Sequence, residues 1–205
     1  MAIVPNKDGQ PPPSTVDVHL SSPRVLSKAF SDNFNRPDTL TLSNANWTLV
    51  GLDGGLFIKN NAVSNNAGAG LGCWLTPNQF NTANHYAQCR ALKVGTTPGY
   101  FLACRLADYD NYVGMTINTG TGGLEIWRKK AGSWTAIAQN FAAVVVGDTI
   151  RLECNGTTCR GLVNGVLKTT QPIGDATLTS VRTGLVSITS SGDDPCLDDF
   201  QTGPL

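Results

Sequence analysis

Fifteen Lys and Arg balance fifteen Asp and Glu in a chain of 205 residues, so the formal net charge is zero. Charged residues are 15% of the total, well below the roughly 25% of ordinary soluble domains. A chain so poor in cations is a weak match for a phosphate backbone, which argues against nucleic acid as a partner. The longest apolar runs, such as 141–146, are too short to cross a bilayer. The length admits one domain with a core that does not depend on disulfides.

The chain opens on residues 1–29, which read as an arm. Asp8-Gly-Gln-Pro-Pro-Pro-Ser excludes a helix and favours an extended polyproline conformation. Val16, Val18 and Leu20 then alternate with Asp17 and His19, as in an extended segment docked on a surface of its own domain or of a neighbouring subunit. The first residues lack the apolar stretch of a secretory signal. The expectation is synthesis in a cytoplasm, with any release by another route.

From Phe30 onward strands follow one another. They are expected at 46–50, 56–60, 71–75, 85–94, 100–107, 111–118, 123–129, 132–139, 148–154, 159–163, 166–170, 184–189 and 196–200. Ile150, Leu152 and Cys154 alternate with Arg151 and Glu153, the pattern of a half-buried antiparallel strand. Asn155-Gly-Thr-Thr predicts a turn, and Asn164-Gly predicts a two-residue hairpin. No window shows helical periodicity. More than ten short strands separated by Gly and Asn turns define an all-β sandwich or barrel over residues 30–205.

Six cysteines form no C-x-x-C pair and match no zinc spacing. Buried thiols acting as small hydrophobes are the first reading, and the four outside positions 154 and 159 are expected to be free and buried. Cys154 and Cys159 bracket the predicted turn and face each other in the simplest register, so a disulfide and a pair of buried thiols both fit. Asp108-Tyr-Asp-Asn and Ser191-Gly-Asp-Asp place the carboxylates of Asp108, Asp110, Asp193 and Asp194 at turns. Oxygen donors there would suit calcium. Asp and Asn also favour turns by bonding their own backbone, and that local reading is preferred.

A glycan or protein contact needs aromatic platforms and amides. Leu124 and Ile126 share one face of their strand, which puts Trp127 with Glu125 and Lys129 on the other, outward face. Trp127, with Tyr109, Tyr112 and the amide of Asn111, is the expected contact set.

Four segments, in order, resemble the concanavalin A-like (laminin G-like, glucanase-like) jelly roll. They are Ser31-Asp-Asn-Phe-Asn-Arg-Pro-Asp with Trp47 and Gly54–Val63; Phe101–Gly114 running into Gly123–Arg128; Val146–Gly156 running into Leu162–Val166; and Thr183–Val186 ending in Leu197-Asp-Asp-Phe. The resemblance implies a two-sheet antiparallel jelly-roll sandwich. It occurs in sugar-binding modules, glycoside hydrolases, and bacteriophage tail and capsid proteins. The segment Asp32-Asn-Phe-Asn-Arg-Pro-Asp…Trp47 is similar to small structural proteins of phages that infect actinobacteria.

The hydrolases of this family resemble one another in a strand of alternating carboxylates. Here the only glutamates, Glu125 and Glu153, stand singly, with no Asp two or four positions on. No Gly-x-Ser-x-Gly, Cys/His pair or phosphate loop is present. The expectation is therefore a non-enzymatic virion protein, a tail component or capsid decoration. It would assemble with other virion proteins through its arm, as an oligomer, and adhere to host-surface polysaccharide, with no resident cofactor. A free carbohydrate-binding module or lectin is the alternative, and a divergent glycoside hydrolase a further one.

Overall fold

The computed structural model describes residues 29–42, 44, 46–50, 55–65, 72–77, 79–94, 99–118, 120–187 and 195–205. All but the last residue of the expected arm lies outside them. Among the described residues there are fifteen strands and no helix. They are β1 (Phe30–Asp32), β2 (Thr48–Leu49), β3 (Leu56–Lys59), β4 (Ala62–Asn65), β5 (Gly72–Leu75), β6 (His85–Ala91), β7 (Tyr100–Asp108), β8 (Asn111–Ile117), β9 (Leu124–Lys130), β10 (Ser133–Ala138), β11 (Thr149–Asn155), β12 (Thr158–Val163), β13 (Val166–Pro172), β14 (Thr183–Ser187) and β15 (Pro195–Pro204).

Two antiparallel sheets form the sandwich. One runs β13-β12-β11-β6-β15-β4-β3, with β1 added on β15. The other runs β10-β9-β8-β7-β14-β5-β2. The core between them follows from the period-2 alternation. Ala87, Cys89 and Ala91 of β6 and Ile150, Leu152 and Cys154 of β11 meet Leu102 and Cys104 of β7, Val113 and Met115 of β8, and Leu124 and Ile126 of β9.

The hairpins carry the turn residues their geometry requires. Asn164 and Gly165 both have positive φ (50° and 76°), as a type I′ turn demands. Asn60 and Asn61 do the same between β3 and β4 (53° and 59°), so residues read as the end of one strand turn back into a second, β4, that the sequence pattern had not marked. The expected four-residue turn after Cys154 is tighter, because Asn155 pairs with Thr158 and only Gly156-Thr157 is left as the loop.

The segment Asp32–Trp47 owes its composition to one buried carboxylate. Asp32 accepts from the Phe34 amide at 2.8 Å, from Arg36 Nη1 at 2.8 and 2.9 Å, and from Trp47 Nε1 at 2.7 Å. Phe34 and Trp47 are then held in the core beside Phe200, with the Trp47 and Phe200 centroids 5.0 Å apart.

Candidate functional site

The second sheet is apolar on both faces. Beyond the core, its outer face gathers Cys73, Leu75, Phe101, Ala103, Leu106, Tyr112 and Val186 into a second buried cluster, with Trp127 packed against it. The cross-strand register builds a site at one side of this cluster. Thr116 lies opposite Glu125, Gly114 opposite Trp127, and Tyr112 opposite Lys129. On the far side of β9, Trp134 lies opposite Lys129 and Ala136 opposite Trp127. Gly114 is required here, since a Cβ would come within 2.9 Å of both the Phe101 and Tyr112 rings. Its absence lets those rings lie across β8 and floor the face.

The result is an open cleft of about 490 Å³ walled chiefly by Phe101, Thr116, Asn118, Glu125, Trp127 and Trp134. Trp134 stacks on Phe101 (centroids 5.1 Å, 29°) and meets Trp127 edge to face (6.2 Å, 90°). The two indoles therefore form perpendicular walls, and Trp134 is the more open, 41% exposed. The polar side is a short relay. Glu125 accepts from Asn118 Nδ2 at 2.8 Å and from Trp127 Nε1 at 2.9 Å. Asn118 is fixed in turn because its own Oδ1 accepts from the amides of Gly120 and Thr121 at 2.9 and 3.0 Å. Aromatic walls with one carboxylate and one amide suit a ligand that has both apolar and hydroxylated faces.

The structure distributes the residues expected from the sequence unevenly. Trp127 is on the outer face, as its alternation requires, but it is half-buried against its neighbours rather than freely exposed. Tyr112 is corrected: it is fully buried under Phe101 and Trp134, with centroids at 5.9 and 5.8 Å, and offers no contact surface. Tyr109 has its ring face occupied by the Lys129 ammonium at 3.4 Å. Asn111 is a turn staple, its amide donating to Asp108 at 2.9 and 3.1 Å while its oxygen accepts from the Ala131 amide at 3.1 Å. The polar alternation that put Trp127 outward did not reveal that Glu125 and Lys129 are also buried, at 5% and 3% exposure.

Of the carboxylates weighed as calcium donors, the two described ones, Asp108 and Asp110, are already committed to the chain. Asp108 accepts from the Asp110 amide at 2.8 Å and from Asn111, and Asp110 pairs with Lys129 at 2.9 Å. Asp193 and Asp194 lie outside the described residues. Their neighbours Asp198 and Asp199 both clamp Arg90. Among the described residues no group of three His, Cys, Asp or Glu could hold a metal. Cys154 and Cys159 are cross-strand partners, as their spacing predicts, and all six cysteines are buried free thiols.

At the end of the sandwich away from these walls, Arg105 sits in a bulge of β7 with positive φ (51°). Its amide donates to His85 Nε2 at 2.9 Å, and its guanidinium caps the carbonyls of Ala83, Leu178 and Gly156. Burial, with the Arg105 charge adding to it, lowers His85 to about 4, so the imidazole is neutral and structural.

No protein-family model matches the chain, and no curated protein matches it in sequence. Solved structures do match in fold. A carbohydrate binding module, CBM66, of Bacillus subtilis superposes with a TM-score of 0.58 at 16% identity over 77% of this chain and 95% of its own. An immunostimulatory antigen and pseudo beta-1,3-glucanase of Mycobacterium tuberculosis gives 0.54 at 10% over 86% and 98%. A Bacillus subtilis protein of unknown function with a galectin-like fold gives 0.52 at 12% over 77% and 89%. The fold is thus a lectin- and glucanase-type β-sandwich, in agreement with the resemblance read from the sequence.

Proposed function

We propose that this chain is a glycan-binding β-sandwich that works without catalysis, and that the Trp127–Trp134 cleft is its binding site. One observation carries the reading: two perpendicular indoles stand beside a fixed carboxylate and amide in an open cleft on the outer face of a sheet. Indole faces cover the apolar side of a sugar ring while the polar pair takes its hydroxyls. A carbohydrate binding module among the fold neighbours adds support of the same kind, limited to architecture. Glycoside hydrolysis needs two carboxyl groups about 5–9.5 Å apart across the scissile bond. Glu125 is the one carboxylate among the described residues lining the cleft, and both its oxygens already accept hydrogen bonds.

Placement on a bacteriophage particle, as tail component or decoration, is the finer reading. It rests on the resemblance of the Asp32–Trp47 segment. Those residues serve an internal staple, which accounts for their pattern by folding alone. The binding reading is tested with a glycan array. The wild-type chain is expected to give defined positives, and Trp127→Ala to lose them while keeping its far-UV circular dichroism. An array without positives, or positives that survive Trp127→Ala, would reject the cleft as the site.

A further inference from the structure

The cleft holds a charge that the described residues leave unbalanced. Three carboxylates are buried among the described residues: Asp32, Glu125 and Glu153. Asp32 is paired with Arg36 and Glu153 with Arg151, each at 2.8 Å. Glu125 has no such partner: no described Lys, Arg or His forms an ion pair with it. Lys129 shares its face of β9 but is committed to Asp110 at 2.9 Å, to the Tyr109 ring at 3.4 Å and, more distantly, to the Trp134 ring at 5.2 Å. That pair is neutral as a unit and leaves the Glu125 charge standing.

A carboxylate withdrawn from water without a counter-charge is costly. The two neutral donors on Glu125, from Asn118 and Trp127, occupy about half of the roughly four acceptor positions of a carboxylate. The π face of Trp127 favours the same sign of ligand, since it attracts a cation as well as an apolar ring face, whereas the Trp134 ring already has Phe101 stacked on it and the Lys129 ammonium 5.2 Å from its centroid. An anionic sugar would meet repulsion here, and a neutral one would leave the charge uncompensated.

We infer that the glycan recognised in this cleft is cationic, a sugar carrying a free amino group whose ammonium sits between the Glu125 carboxylate and the Trp127 indole. The inference rests on the glycan-binding reading of the cleft and narrows it to amino sugars.

The test is calorimetric titration of the full chain with matched oligosaccharides that differ only in charge: glucosamine tetramer against its N-acetylated form, and the same pair built on galactosamine. In at least one pair the amine is expected to bind about tenfold tighter or more, the scale of one desolvated cation contact. Glu125→Gln should bring the ratio close to one. Because a glutamine offers a single acceptor oxygen to two donors, a second measurement uses the wild-type chain alone. Raising the pH until the amine is neutral should erase the preference while binding of the N-acetylated form holds steady. Equal affinities, or a preference for the N-acetylated form, would overturn the inference and leave the glycan reading intact. If no amino sugar binds but a lysine-bearing peptide does through Glu125, the inference also fails. No binding of any glycan would remove the underlying reading and this one with it.

Discussion

Trp134→Ala separates the packing of the cleft from its use. Trp134 is on β10, the edge of its sheet, and is 41% exposed, so the rest of its surface is covered. A large aromatic buries ~150–250 Å² when fully enclosed. The covered share here is then roughly 90–150 Å², worth about 2–4 kcal/mol at ~25 cal/mol per Å². Residual compactness of the unfolded chain lowers this to about 2–3 kcal/mol. At ~2–4 °C per kcal/mol for a chain of this size, the midpoint of thermal unfolding should fall by roughly 5–10 °C. Ligand affinity should fall by about thirtyfold, the ~2 kcal/mol scale of a tryptophan hot spot. Trp134→Phe keeps a ring over Phe101 and should recover most of the stability and part of the affinity. Differential scanning calorimetry gives the first quantity and titration with the best array ligand the second. A melting temperature unchanged within a degree would refute the stacked geometry. An unchanged affinity in a destabilised variant would refute the cleft as the binding site while leaving the packing argument standing.

Two further outcomes test the frame that holds the site. Asp32→Ala leaves the Trp47 and Phe34 N–H groups and the Arg36 guanidinium without their acceptor; at ~1–3 kcal/mol per orphaned buried donor, a loss of about 3–5 kcal/mol is expected in urea denaturation, and a loss under about 1 would show the staple to be dispensable. His85, lowered to about 4 from its ordinary 6.5, binds its proton more readily once unfolded, so its contribution is complete above about pH 6.5 and is lost as the pH falls towards 4. That slope amounts to about 3 kcal/mol between the two values; it should vanish in His85→Gln, and identical pH profiles for the two proteins would contradict the neutral imidazole.

The sandwich was legible in the sequence because its evidence is local. Alternation such as Ile150/Leu152/Cys154 against Arg151/Glu153 sets both strand and inward face, and Asn164-Gly165 sets its own turn. β4 escaped because Ala62–Asn65 is buried along its whole length, so no polar residue alternates with an apolar one to mark a face. The cleft was half legible. Alternation placed Trp127, Glu125 and Lys129 together on one face but could not report that the face has an apolar carpet of its own. That carpet comes from Cys73, Phe101 and Val186 on strands remote in sequence, joined only by the sheet order β8-β7-β14-β5. Trp134 joins Trp127 through the Ala131-Gly132 turn, whose positive φ values of 47° and 81° set the register of β9 and β10. Tyr112 was misplaced for the same reason: an outward tyrosine is exposed only where nothing on the outer face covers it.

The cysteines give a prediction in which geometry and reactivity point in opposite directions. Gly156, at φ 55°, takes the first central position of the two-residue loop, the place of glycine in a type II′ turn. Asn155 and Thr158 close that loop, and Cys154 and Cys159 are the next pair along the ladder. In such a hairpin the pair after the closing one lacks mutual hydrogen bonds and brings its Cβ atoms closest, which favours a disulfide. Exchange, however, proceeds through a thiolate. Burial raises Cys159 to about 12, aided by the neighbouring Cys154, and the Cys159 thiol donates to the Gln171 carbonyl at 3.6 Å. At pH 8 that leaves about one molecule in ten thousand with Cys159 ionised, four pH units below its midpoint. The bond would also close a very short loop, so little chain entropy favours it. The folded protein is therefore expected to keep both thiols through prolonged exposure to air at neutral pH. Thiol titration after denaturation without reductant should return six, and the native protein should react with none at the same pH. A count of four would show that Cys154 and Cys159 pair before burial protects them, and rapid labelling of the native protein would show that the core opens far more often than its packing allows.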